Sequence, residues 1–351
     1  MNNRYKAEQL VHFASNAFQQ CGLTDERAEI VARTLVEADL MGHTTHGLQL
    51  LYAYLRELQS GGMASDGQPE VISDMGASIT WHGQFLPGPW LVHEAIDIGL
   101  ERIKEHPIVS VAIQRSHHIA SLASYPERAT QQDLIMIVYS SDPNNETVVP
   151  HGGIRGVYSP NPIAYGIPTE GDPILLDTSM STLANGMVLR KKAAGEKFDH
   201  AWMLDGVGSP TADPTGFSAD PPSVILPNGG LELGYKGFGL AILVEALTSA
   251  LSGRGRTLPP GRWCSSVFIQ IIDPSRFGGI DHFKREMQNL ANRCHETPVR
   301  SGDPPVRMPG ERALANRRDQ LRKGVNLHPS VITSLEKSAA LSGIALPDTM
   351  R

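Results

Sequence analysis

His43 and His46 stand two threonines apart in Gly42-His-Thr-Thr-His-Gly47. An imidazole titrates near neutral pH, so either ring could take or give a proton at a reacting oxygen. The flanking glycines let the backbone turn and bring a ring close to a ligand without side-chain cover. Against this, an isolated pair of loop histidines is more often an inert, solvated feature. A second pair, His117-His118, follows Ser116 after the apolar alternation Val109, Val111, Ile113. That position is the carboxyl end of a strand, where open α/β sheets place ligands. Adjacent side chains on extended chain point to opposite faces, so at most one of the two is expected in a given pocket. Asp177 closes the apolar run Pro173–Leu176 and precedes Thr178-Ser179. A carboxylate there can orient an imidazole and stabilise its cation, or cap the next helix. Gly234-Tyr-Lys-Gly-Phe-Gly239 leads into the apolar stretch Leu240–Leu251. Backbone N–H groups at a helix start, with one lysine, make a phosphate cradle; a plain tight turn is the competing account. It is not a GxGxxG fingerprint, because Ile242 stands where the third glycine would fall.

Other chemistries find less support. A catalytic zinc needs three protein ligands, and no HExxH, CxxC or HxH spacing supplies two of them locally, so no metal is expected and a zinc hydrolase is a distant alternative. No GxSxG occurs, and Cys21, Cys264 and Cys294 are too few and too scattered for a disulfide framework or a redox pair. Lys+Arg 31 against Asp+Glu 37 leaves a net charge of −6, which gives no general attraction to nucleic acid or an anionic membrane surface. The first residues turn amphipathic without an apolar leader, and no apolar run reaches ~18 residues, so a cytoplasmic chain with no membrane span is expected.

Positioning these side chains requires a scaffold of 351 residues, long enough for more than one domain. Leu10, Ala14, Ala17, Phe18 and Cys21 recur at helical spacing, and Gly22 ends that helix. Thr24 is suited to cap a second helix running to about Met41, and Leu48, Leu51, Tyr54, Leu55 and Leu58 mark a third that stops at Gly61-Gly62. The histidine loop joins the second and third. Beyond residue 70 the period shortens, with strands at Val109–Ile113, Leu134–Val138, Ile174–Leu176 and Val267–Ile272. Helices are expected at 94–105, 123–132, 238–252 and 329–341. The basic stretch Arg312, Arg317, Arg318, Arg322 and Lys323 ends at Gly324 and reads first as a solvated helix end. The division is an N-terminal helical segment 1–72, a central α/β domain 73–300 and a C-terminal segment 301–351 that packs with the N-terminal helices.

Taken together, His43-Thr-Thr-His-Gly47 with Tyr54, Ser116-His-His-Ile119, Asn161-Pro-Ile163, Leu176-Asp-Thr-Ser179, Gly186-Met187, Trp202 with Asp205-Gly206, Pro210-Thr-Ala-Asp213, Gly234-Tyr-Lys-Gly237 and Pro309-Gly-Glu311 with Arg317-Arg318 resemble, in this order, the type-2 malate/L-lactate dehydrogenase family. The resemblance covers nearly the whole chain. It implies a non-Rossmann α/β fold in which helical terminal segments surround a central mixed-sheet cofactor domain, in a homodimer. It implies hydride transfer between NAD or NADP and the 2-position of a small 2-oxo or 2-hydroxy acid. On that resemblance His46 is the proton donor and acceptor, Thr45 takes the place of the serine usually beside it, His118 is a second active-site histidine and Asp177 supports the catalytic ring. Pro173, Ile174, Leu175, Leu176, Asp177, Thr178, Tyr235, Lys236, Gly310, Glu311 and Arg312 match the cofactor-holding segments. The chain departs from the family at Leu50, where many members carry an arginine suited to a substrate carboxylate, and at Ser159-Pro160. Those departures give the alternative: an impaired member that binds a metabolite or a partner.

Overall fold

The structure, a computed structural model, describes residues 4–350. Helix α1 (Ala7–Gln20) is followed by α2 (Asp25–Met41), whose N-cap Thr24 accepts the Arg27 N–H at 3.4 Å, as the sequence predicts. Gly42 ends α2 in the left-handed region, φ +91°. The third helix differs in its start: Leu48–Leu50 form a tight 3₁₀ turn and α3 proper spans Leu51–Ser60.

Seven strands make the central sheet: β1 (Glu70–Asp74), β2 (Ser78–His82), β3 (Ile108–Ser116), β4 (Ile135–Ser141), β5 (Ile163–Ile167), β6 (Ile174–Thr178) and β7 (Ser265–Ile272). Their order is β1-β2-β3-β7-β4-β5-β6. Only β2 and β3 pair in parallel, across helix α4 (Gly88–Arg102); every other pair is antiparallel, so the sheet is mixed. The late strand β7 lies between β3 and β4, which alternation within each strand cannot reveal.

Several expected helices shift for local reasons. The helix expected at 94–105 begins six residues earlier, with Pro89 in its first turn, where a missing N–H costs nothing. The one expected at 123–132 shrinks to a 3₁₀ turn, Leu122–Ser124, and the single-turn α5 (Glu127–Thr130), because Pro126 has no N–H with which to carry a helical hydrogen bond across the join. The larger correction concerns Gly234–Gly239. Rather than leading into a helix, it lies inside α7 (Gly230–Glu245), which continues as a π turn over Ala246–Ala250. Gly237 is a close-packing position there: a Cβ would meet the Asn228 backbone nitrogen at 2.5 Å. The segment lies past the helix start, and the Gly237 N–H is spent on the Asn228 carbonyl at 3.2 Å, so it is no phosphate cradle. Helices α6 (Asn185–Ala194), α8 (Ile280–Glu296), α9 (Glu311–Lys323) and α10 (Pro329–Ser342) complete the chain.

One apolar core runs continuously from α1–α3 (Leu10, Val31, Leu55) through the sheet (Val111, Met136, Ile269) to α10 (Val331, Leu335). A second, smaller core gathers Val148, Tyr158, Met180, Val188, Phe198, Met203 and Val244. Helix α9 docks on α2: Arg317 pairs with Glu37 at 2.9 Å and with Glu127, and Gln320 donates to the Asp39 and Leu40 carbonyls. Most of the basic stretch is thus paired, Arg318 to Asp172 and Arg322 and Lys323 to Asp319.

Candidate active site

The α2–α3 junction is held from beneath by a buried carboxylate. Asp39, in the last turns of α2, accepts the Leu48 N–H at 2.6 Å, and burial pushes its pKa up to about 7. A Cβ on Gly47 would stand 2.4 Å from Asp39 Oδ2 and 2.9 Å from the Leu35 carbonyl oxygen, so no side chain fits there, which is why glycine follows His46. The junction is closed from the other side by α6, where a Cβ on Gly186 would stand 3.3 Å from that of Thr45.

His46 emerges half-buried from this loop, with Nδ1 2.9 Å from the Thr45 hydroxyl. A hydroxyl both donates and accepts, so Thr45 can hold the ring with Nε2 either protonated or bare. The ring stacks over His118, centroids 5.9 Å apart and planes 22° apart. Burial is the main force lowering the His46 pKa below 6.5; His43 and Arg190 act in the same direction and Asp177 opposes them.

His118 is fixed by Tyr54, a fully buried residue of α3. The Tyr54 hydroxyl is 2.7 Å from His118 Nδ1, and the Ala120 N–H also donates to Nδ1, at 3.2 Å. With Nδ1 accepting, the neutral ring carries its proton on Nε2. Burial, then the charges of His46 and His117, hold the His118 pKa well below 6.5. Both adjacent histidines pack against Trp263, with ring centroids 5.0 Å (His117) and 4.8 Å (His118) away. His117 is buried, with Nε2 3.5 Å from Glu57.

Asp177, on β6, is close enough to act electrostatically on His46, yet its hydrogen bonds go elsewhere: Oδ2 accepts Ser121 Oγ–H at 3.0 Å and the Ala123 N–H at 2.8 Å. It does not cap the next helix, since α6 starts only at Asn185 behind Ala184. The same strand leads back to a cavity of about 520 Å³, lined by Pro173, Ile174, Arg307, Glu311, Arg312 and Arg318 among others. From Ile174 to Asp177 is about 10 Å at the rise of an extended chain. Pro309 and Gly310 close that end, Leu175 N–H donating to Pro309 O at 3.1 Å. Tyr235 and Lys236 lie on the exposed α7, Tyr235 beside His151, and no described contact joins them to these histidines or to the cavity. Among the described residues no group of three or more His, Cys, Asp or Glu is placed to hold a metal ion.

The chain as a whole is similar to known dehydrogenases. Residues 5–336 match the family model described as malate/L-lactate dehydrogenase. The chain belongs to that family. Among similar proteins are an L-lactate dehydrogenase from Cupriavidus necator, 28% identical over 91% of this chain and 92% of the relative. A (2R)-3-sulfolactate dehydrogenase (NADP(+)) from Chromohalobacter salexigens is 30% identical, over 92% of this chain and 94% of its own length. The solved structure of Δ1-piperideine-2-carboxylate reductase from Pseudomonas syringae superposes with a TM-score of 0.82 at 26% identity, covering 96% of this chain and 99% of that one. Membership makes this chain an oxidoreductase of the hydroxyacid dehydrogenase class. It also identifies its α/β mixed sheet with flanking helices as the malate/L-lactate dehydrogenase fold.

Against that family background, the residues that sequence reasoning missed are Asp39, Trp263 and Arg190. Asp39 sits on the buried face of α2, where a carboxylate should draw notice. Trp263 lies in a Gly/Pro-rich connection and Arg190 on a short helix, and nothing in their local sequence marks either. Leu50, in the arginine position, packs half-buried against the main core and carries no charge to this site. Ser159 and Asn161 form a buried link instead: Ser159 Oγ donates to Asn161 Oδ1 at 2.5 Å, and Asn161 donates to Glu245 at 2.9 Å.

Proposed function

We propose that this chain transfers a hydride between NAD(P) and the 2-position of a small 2-oxo or 2-hydroxy acid, with His46 as the proton donor and acceptor. The observation that carries this reading is the His46–His118 stack, in which each ring has one nitrogen engaged, by Thr45 and by Tyr54, and the other left for a ligand. Removing a hydride from C2 of an alcohol requires its hydroxyl proton to leave as well, and a neutral His46 can take it. In the reverse direction the protonated ring returns it to the carbonyl oxygen. The Nε2–H of His118 is a fixed donor for oxygen charge as it develops. Asp177 stabilises the imidazolium through space and pins the 121–123 turn. Family resemblance assigns the cofactor to Pro173–Thr178, Tyr235-Lys236 and Gly310–Arg312, and the cavity beside β6 supports the first and last of these. Its volume is that of an ordinary ligand pocket, and Arg307 and Arg312 in its wall pair with no carboxylate among the described residues, which suits a phosphate-bearing molecule. A bound nicotinamide supplies or accepts the hydride itself.

We further propose that the working form is a homodimer. Helix α7 leaves Leu231, Leu233, Tyr235, Leu240, Ile242 and Leu243 about half exposed, an apolar helix face without cover in one chain.

The test is absorbance of reduced nicotinamide with NADH and NADPH in turn, against a panel of 2-oxo acids and a cyclic imine. Turnover is expected, and His46→Ala should abolish it while cofactor still raises the melting temperature. Silence of the wild type with every pair, and no thermal shift with either cofactor, would replace this reading by the impaired binding protein.

A further inference from the structure

A 2-oxo acid brings a carboxylate into a site where the position of the missing arginine is filled by Leu50. A buried carboxylate without a cation or several donors is costly. The chain has a guanidinium of its own at the same loop. Gly186 and Arg190 lie one turn apart on one face of α6, and Gly186 abuts Thr45. Arg190 reaches the loop that carries His46, donating to Thr44 Oγ1 at 2.9 Å and to Gln49 Oε1, so it grips the residues on either side of the catalytic ring. Its side chain is half-buried, and its Nε–H is buried with no partner among the described residues. A guanidinium has five N–H donors, and these two bonds leave the rest free. Neighbouring cations are committed elsewhere: Arg262 stacks 3.3 Å over Phe85 and donates to Gly61 O, and Arg115 also lies over Phe85.

We propose that Arg190 binds the substrate carboxylate, replacing from α6 the arginine that Leu50 displaces, and so determines the preference for acids over neutral carbonyl compounds. This rests on the reaction proposed above. It makes Arg190 a specificity residue whose planar, charged donors face an anion beside the proton-transferring ring. Its hold on Thr44 and Gln49 is the same grip that orients the loop before substrate arrives.

The experiment compares pyruvate and oxaloacetate with methyl pyruvate, in wild type, Arg190→Gln and Arg190→Lys, with both cofactors. In Arg190→Gln the acid-to-ester ratio of kcat/KM is expected to fall about 10- to 100-fold, mostly through KM, as befits loss of a charged hydrogen bond. Arg190→Lys should lie between, and adding Leu50→Arg to Arg190→Gln should restore part of the ratio. Equal losses for acid and ester would reduce Arg190 to a loop anchor and overturn the proposal, as would an unchanged ratio. A wild type silent with all three compounds would instead overturn the reaction itself, and this inference with it.

Discussion

Burial keeps the His46 ring neutral near pH 7. Burial lowers its pKa below 6.5, and Asp177, which hydrogen-bonds to Ser121 and Ala123 rather than to the ring, only partly offsets this. On the proposed mechanism this neutral ring takes the proton of a hydroxy acid at pH 7. Reduction needs the protonated ring, whose population grows as pH falls toward the lowered pKa. We expect kcat/KM for 2-oxo acid reduction to rise as pH drops below 6.5, while oxidation of the hydroxy acid stays level past that point before declining. Parallel pH profiles in the two directions would take His46 out of proton transfer. Beside it, Tyr54→Phe removes the hydroxyl at His118 Nδ1 and leaves the Ala120 N–H with one acceptor fewer. Stability should fall by about 1–3 kcal/mol in denaturant unfolding, the usual cost of a lost buried partner. A variant as stable as wild type would show that the ring is held without it.

At the level of elements, the site depends on pieces remote in sequence being clamped together. Helix α9 and the turn before it reach β6 through Pro309 and Gly310, and Gly310 sits at φ +92° with its missing Cβ 2.8 Å from the Leu175 carbonyl oxygen. Gly310→Ala should therefore cost about 2–4 kcal/mol, from the left-handed backbone together with the steric clash. It should loosen the cavity wall that carries Glu311 and Arg312. The expected readout is a lower melting temperature and a raised KM for the cofactor with little change in the KM of the acid. An unaltered cofactor KM would mean that this clamp has no part in holding the dinucleotide. The α6 contact works in the same way on the other side of the loop that carries His46, where Gly186 and Arg190 meet Thr45, Thr44 and Gln49.

For the molecule as a whole, the terminal helices and the sheet share one core, so the loop that carries His46 in the first segment stacks on His118 of the second and is braced by α9 and α10 of the third. The apolar face of α7 is the surface this arrangement leaves uncovered. Sedimentation should give the mass of two chains, and a charge placed there, Leu240→Glu, should shift the species toward one chain with the fold retained. A wild type that sediments as a monomer at micromolar concentration would refute the dimer. The local sequence determined the caps and stops of α1–α3, because Thr24, Gly42 and Gly61 act on their own turns. It also determined four of the seven strands of the central sheet, β3, β4, β6 and β7, through alternation and short apolar runs, and the histidines as candidates, through residue type and order. Local pattern could not give the start of α7, where Gly234 and Gly237 look like a turn and are close-packing positions inside a helix. Nor could it place β7 between β3 and β4, since strand order is set by long-range pairing. Tertiary structure alone brought Arg190 and Trp263 to the histidines, because each acts across contacts that no sequence spacing encodes.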